Sequence, residues 1–150
     1  MLNSVEVKIL DDRLKQMMIG RATDGSAAID LHACISTNMR IKSGDRLNIS
    51  SGLSVFIKDP NYCAVILPRS GLGYTGLVIA NTIGLIDSDY QGEIQLSMLN
   101  RTNFDDIYIE PMQRIAQLVF LPIARPEFNF VEEFSQKTER GQGGFGSTGK

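Results

Sequence analysis

Gly84-Leu85-Ile86-Asp87-Ser88-Asp89-Tyr90-Gln91-Gly92 is the stretch around which the chain reads. Apolar and β-branched residues from Leu77 to Ile86 run into it, and the alternating run Glu93 to Leu99 leaves it. Gly and Asp between two such runs predict a β-hairpin. A turn does not need a Tyr between bracketing acids and glycines, so the tip also reads as a functional site. An acid beside apolar Leu85 and Ile86 can hold a water in a partly dry pocket, as a general base must. The same residues equally fit a surface hairpin with solvated carboxylates.

Strand signals dominate on both sides of that turn. Val5 to Leu10 and Ala28 to Ala33 alternate, the second after Gly25-Ser26. Leu53 to Ile57 follows Ser51-Gly52, and Tyr62 to Leu67 follows Asp59-Pro60-Asn61. Asp106 to Ile109, Arg114 to Leu121 and Phe128 to Val131 complete the set. Short strands at regular spacing predict an all-β sandwich or barrel. Only Asp12 to Gly20 and Gly71 to Tyr74 leave room for a helical turn.

With 150 residues, 43% of them hydrophobic, one domain with a real core is expected. The formal net charge is −2 and no long basic run occurs, which disfavours non-specific nucleic-acid binding. No apolar run approaches a membrane span, and Met1 to Leu10 alternates rather than forming a signal core. A soluble, cytoplasmic protein is the expectation. Cys34 and Cys63 lack CxxC spacing and read as buried thiols. His32 is the single histidine, a poor basis for a metal cluster or a Ser-His-Asp triad.

Several stretches carry phosphate-binding chemistry. Pro68-Arg69-Ser70-Gly71-Leu72-Gly73 follows a strand and offers a guanidinium fork, a hydroxyl and close backbone approach. It lacks the Lys and spacing of a P-loop and also fits a plain strand-ending turn. Asp30 interrupts an apolar strand, so its carboxylate must pair with an Arg or face a cation. Gln117 interrupts Ile115 to Phe120, either as an outward-facing position or as an amide aimed at phosphate oxygens. After Phe134 apolar residues nearly vanish, and the end is Arg140-Gly141-Gln142-Gly143-Gly144-Phe145-Gly146-Ser147-Thr148-Gly149-Lys150. Such a Gly-rich end reads as a frayed terminus. Its Arg, Phe and Ser-Thr pair also suit a mobile arm that closes over a nucleotide.

Five of these stretches in order resemble the motifs of the trimeric dUTPases. They are Ser26 to Leu31, Pro68 to Leu72, Gly84 to Gly92, Arg114 to Gln117 and Arg140 to Gly149. One departure is Ala28, which stands where that family commonly has Gly. The resemblance implies a distorted jelly-roll β-barrel over 1–136 and a flexible Gly-rich arm over 137–150. It also implies a homotrimer with shared active sites, and Mg²⁺-dependent hydrolysis of dUTP to dUMP and pyrophosphate. That reaction lowers dUTP and supplies dUMP for thymidylate synthesis.

By the same resemblance Asp87 is the base that orients water onto the α-phosphate, and Tyr90 packs on the deoxyribose. Asn81 with the backbone of Gly84, Leu85 and Ile86 reads uracil, and the strand near Gln95 adds backbone contacts. Arg69, Ser70, Gly71 and Gln117 hold phosphates from a neighbouring subunit. Arg140 clamps the γ-phosphate, Phe145 covers the base, and Gly146, Ser147 and Thr148 donate to phosphates. Asp30 touches the Mg²⁺ shell through water. A small hard cation prefers phosphate oxygens and keeps its waters, so no all-protein cage is expected. Water attack at phosphorus needs positioning and charge neutralisation, not a nucleophilic Ser or Cys. Two rival readings remain at this level: a dCTP deaminase of related fold, and a non-catalytic nucleotide-sensing trimer.

Overall fold

Alternation decides the strands, and Glu93–Asn100 shows it most plainly: Ile94, Leu96, Met98 and Asn100 are buried while Gln95 is exposed. The computed structural model describes residues 1–17 and 19–144. Its strands are β1 (Glu6–Ile9), β2 (Ile29–His32), β3 (Met39–Ile41), β4 (Arg46–Phe56) and β5 (Tyr62–Pro68). They continue as β6 (Leu77–Ile79), β7 (Gly84–Ile86), β8 (Glu93–Asn100), β9 (Ile107–Ile109) and β10 (Arg114–Pro122). A short helix α1 (Ser70–Thr75) follows β5, and a 3₁₀ turn spans Asp12–Gln16. No helix among the described residues is long and apolar enough to cross a membrane.

Two four-stranded sheets, ordered β1-β4-β8-β6 and β2-β10-β5-β7, share one apolar core, and a third pair joins β3 to β9. Every ladder is antiparallel. Leu31, Ile66, Ile115 and Leu118 face Ile49, Val55, Leu77, Ile94 and Leu96 within this core. The arrangement is an all-β fold of the jelly-roll type.

Three expectations are corrected. The run Leu77 to Ile86 is not one strand entering a hairpin. It divides at the Ala80–Ile83 turn into β6, which pairs with β8, and β7, which pairs with β5. The Asp87–Gly92 turn therefore links two sheets, and β7 and β8 share no ladder. Asn81 and Thr82 mark the turn, but nothing in the residues records which sheet each half joins.

Gly52, expected to precede a strand, lies inside β4 where the ladder to β8 shifts register between Ser50 and Ser54. Its φ is +66°, and a Cβ there would lie 2.6 Å from Cys34 Sγ and 2.9 Å from Leu14 Cδ1. Only glycine fits such a bulge. Phe128 to Val131, the last expected strand, joins no ladder. Residues 123–144 contain neither helix nor strand, and Phe130 is 92% exposed. Among the described residues that segment pairs with no strand edge.

The two cysteines are free, Cys63 buried and Cys34 half-buried. Burial pushes the Cys34 thiol up to about 11, which keeps it protonated and unreactive.

Candidate active site

β2, β5 and β10 lie side by side and place Asp30, Arg69 and Gln117 together. Gln117 stands opposite Asp30 on one side and Leu67 on the other. Arg69 Nε–H donates to Asp30 Oδ1 at 2.8 Å, and Arg114 Nη1 donates to Oδ2 at 3.2 Å. Asp30 is thus paired with two guanidinium groups. Gln117 Nε2 donates to the Pro68 carbonyl at 2.9 Å, which leaves its second amide hydrogen available. A cavity of about 580 Å³ lies here, lined by Ser26, Ala28, Asp30, Arg69, Ser70, Gly71 and Gln117. A guanidinium, a hydroxyl, an amide and backbone N–H groups at one opening form a donor set suited to phosphate oxygens.

Two residues beside this cluster were not singled out by the sequence for these positions. Arg114 reaches Asp30 because the β10–β2 ladder shifts between Arg114 and Ala116. The extra residue breaks simple alternation, so strand periodicity alone could not put Arg114 on this face. His32 is 95% hidden at 5% exposure, and its Nδ1 has no hydrogen-bond partner among the described residues. Burial lowers its pKa, with Asp30 opposing and Arg114 and Arg69 reinforcing the shift, so the ring stays neutral at pH 7.

Asp87 belongs to a second place. Tyr90 N–H donates to the Asp87 carbonyl at 3.2 Å and closes the turn between them. Lys58 N–H holds that turn from outside through the Ser88 carbonyl at 3.0 Å. A cavity of about 260 Å³ is lined by Leu85, Ile86, Asp87, Tyr90, Glu93, Ile94 and Gln95. Asp89 lines a different opening with Lys58, Pro60 and Arg125, one that Asp87 also borders. Leu85 is 63% exposed, so in the single chain the surroundings of Asp87 are wetter than its apolar neighbours imply. Gly84 packs under Ile66, where a Cβ would come within 3.1 Å of the Ile66 side chain. Gln95 Nε2 donates to Glu93 Oε2 at 2.6 Å.

The two cavities share no lining residue. Ile86 pairs with Ala64, and Arg69 lies five residues further along the chain, about 16 Å at ~3.3 Å per residue. Asn81 is exposed in the β6–β7 turn, where its carbonyl accepts from Ile83 N–H at 2.7 Å. Arg140 is exposed, donates to the Gly143 carbonyl at 3.0 Å and lines neither cavity. Phe145, Gly146, Ser147 and Thr148 lie outside the described residues. Among the described residues no cluster of three or more His, Cys, Asp or Glu side chains could hold a metal ion.

The dUTPase family model matches residues 15–149. The chain belongs to the dUTPase family. It is 53% identical over 146 residues to the deoxyuridine 5'-triphosphate nucleotidohydrolase of Francisella tularensis subsp. holarctica, spanning 97% of this chain and 98% of that protein. The protein of the same name from Francisella tularensis subsp. novicida matches equally, at 53% over 146 residues. Among solved structures, a Staphylococcus bacteriophage 80alpha dUTPase with dUPNHPP superposes with a TM-score of 0.85. It is 27% identical and 99% of each chain is covered. Against the dUTPase pattern, Ala28 is accommodated: its φ is not positive, so the methyl group costs no backbone strain.

Proposed function

We propose that the chain is a cytoplasmic homotrimer that hydrolyses dUTP to dUMP and pyrophosphate, with Asp87 as the base. Asp87 takes a proton from water as its oxygen bonds to the α-phosphorus. The bond from that phosphorus to the bridging oxygen breaks, and pyrophosphate leaves. Tyr90 backs the deoxyribose. Asn81 and the backbone of Gly84, Leu85 and Ile86 read the base beside Gln95. Arg69, Ser70, Gly71 and Gln117 hold phosphate oxygens. Arg140, Phe145, Gly146, Ser147 and Thr148 close the site as an arm over residues 137–150, with the folded domain before it.

The observation that carries shared sites is the separation of the two half-sites. About 16 Å of extended chain separates Ala64, the partner of Ile86, from Arg69 just beyond the end of β5, at ~3.3 Å per residue. A base and a phosphate clamp must flank one triphosphate. A second copy of the chain, presenting its own Arg69 cavity beside the first copy's Asp87, meets that need.

Mg²⁺ fits this donor set. A small hard cation prefers phosphate oxygens and keeps its waters, so it arrives on the triphosphate. When bound there it would neutralise phosphate charge and fix the triphosphate's shape. Each Asp30 oxygen accepts one guanidinium hydrogen and keeps a lone pair for a water of that ion.

Incubation with dUTP, and separately with dCTP, in the presence of Mg²⁺ tests the reading. Pyrophosphate and dUMP from dUTP support it. Ammonia from dCTP would point to a deaminase, and tight dUTP binding without product to a sensor.

A further inference from the structure

Tyr90 does not hang freely from its turn. Its hydroxyl donates to the Glu93 carbonyl at 2.9 Å, and the ring crosses Gly92 on the way. A Cβ at Gly92 would lie 2.4 Å from the Tyr90 hydroxyl oxygen, 2.6 Å from Cζ and 3.0 Å from Cε2. These distances are far inside the ~3.5–4.0 Å at which carbon atoms pack. Backbone conformation does not demand glycine here, because φ of Gly92 lies outside the left-handed range. Close approach of the ring is the demand.

Hydrogen bonds from β4 hold the backbone beneath that ring. Ser54 is buried, and its hydroxyl donates to the Gln91 carbonyl at 2.6 Å, with the Gly92 carbonyl 3.0 Å away. Ser50 Oγ–H donates to Glu93 Oε1, and Gln95 Nε2 donates to Glu93 Oε2 at 2.6 Å. Ring, anchor and floor therefore meet at the edge of the cavity lined also by Leu85, Ile86 and Asp87.

We propose that Gly92 is a positioning residue for sugar discrimination. Lacking a Cβ, it lets the Tyr90 ring lie against the backbone, and so sets the depth of the wall that meets the sugar. The inference rests on the reading of Tyr90 as that wall. A methyl group at Gly92 breaks the Tyr90–Glu93 hydrogen bond and displaces the ring. A ring pushed inward obstructs dUTP, and a ring pushed outward admits the 2′-hydroxyl of UTP. Inward movement hinders UTP at least as much as dUTP; the outward movement, which loss of the Glu93 tether permits, lowers the ratio of kcat/KM for dUTP to that for UTP.

Four proteins test this: wild type, Gly92→Ala, Tyr90→Ala and the double variant, each assayed on dUTP and UTP. Gly92→Ala should lower the dUTP:UTP ratio by about tenfold or more. In the Tyr90→Ala background the same change should move the ratio by less than about twofold, because no ring remains to displace. Loss of fold alone would not produce that dependence on the ring. Ser54→Ala loosens the same floor without a clash, and serves if Gly92→Ala does not fold. It should lower the ratio only where Tyr90 is present. A ratio that falls in Tyr90→Ala but stays at the wild-type value in Gly92→Ala overturns the inference and spares the wall. Equal effects of Gly92→Ala in both backgrounds overturn it too. An unchanged ratio in Tyr90→Ala removes the wall itself, and with it any role for Gly92.

Discussion

Arg69 Nε–H meets Asp30 Oδ1 at 2.8 Å, and Arg114 Nη1 approaches the other Asp30 oxygen at 3.2 Å. One carboxylate so holds two cations, of which Arg69 lines the phosphate-type cavity. Side-chain exposure of 23% for Asp30 and 32% for Arg69 makes this pair better shielded than those on the open surface. Asp30→Asn keeps the shape and removes the shared counter-charge. We expect it to fold and to lose about 10–100-fold in kcat/KM for dUTP, the worth of one charged hydrogen bond of ~1.5–3 kcal/mol. Steady-state kinetics with circular dichroism as the folding check measure it. Unchanged kinetics would make the triad merely structural.

Asp87→Asn should fold, bind dUTP, and turn over ~10²–10⁴-fold more slowly, the usual worth of a positioned base. Binding by calorimetry and kcat by pyrophosphate release separate the two effects. A kcat within about threefold of wild type would pass the role of base to Asp89, the next carboxylate in the turn.

A pH dependence of stability follows from Asp11, which caps the Asp12–Gln16 turn. The hydrogen bond from the Arg13 side chain is the main cause that holds its pKa at about 2, below the ordinary 3.8. A depressed folded-state pKa contributes stability above the unfolded value, and that contribution is lost as pH falls through the folded value. The melting-temperature gap between wild type and Asp11→Asn should therefore be full above about pH 5 and close between pH 4 and pH 2. A gap that stays constant through that window would show the charge to be irrelevant.

Sharing of sites between chains is tested by mixing two inactive proteins. One lacks residues 138–150, of which 138–142 and 144 are exposed and 143 half-exposed, so its core and melting temperature should change little. The other carries Asp87→Asn. If each arm closes over a neighbour's Asp87, mixed trimers regain activity. No recovery, with mixed trimers confirmed by mass, would mean that each chain closes its own site.

How much of this was legible beforehand depended on the kind of signal. β8 is readable because one face is buried, so alternation is written into its residues, whereas β5 is readable as a short apolar run after the Asp59-Pro60-Asn61 turn. β3, only Met39–Ile41, is too short to show a period and was missed. The Leu77 to Ile86 run divides at Asn81-Thr82, but partner choice is a tertiary matter, so the residues do not record that the two halves join different sheets. Within the site, Asp30 announced itself as a carboxylate needing a partner. Both partners lie far along the chain, Arg69 at 39 residues and Arg114 at 84, and the second depends on a bulge. The bond between Tyr90 and Glu93 was hidden for another reason: it uses a main-chain oxygen, which every residue has.

Where the oxygen of water ends up tests the central claim most directly. Hydrolysis of dUTP in ¹⁸O-water, with Mg²⁺ and a single turnover, puts the heavy oxygen on whichever phosphorus is attacked. Attack on the α-phosphorus directed by Asp87 predicts ¹⁸O in dUMP and none in pyrophosphate. Label found in pyrophosphate, or release of ammonia with the triphosphate intact, would contradict the account.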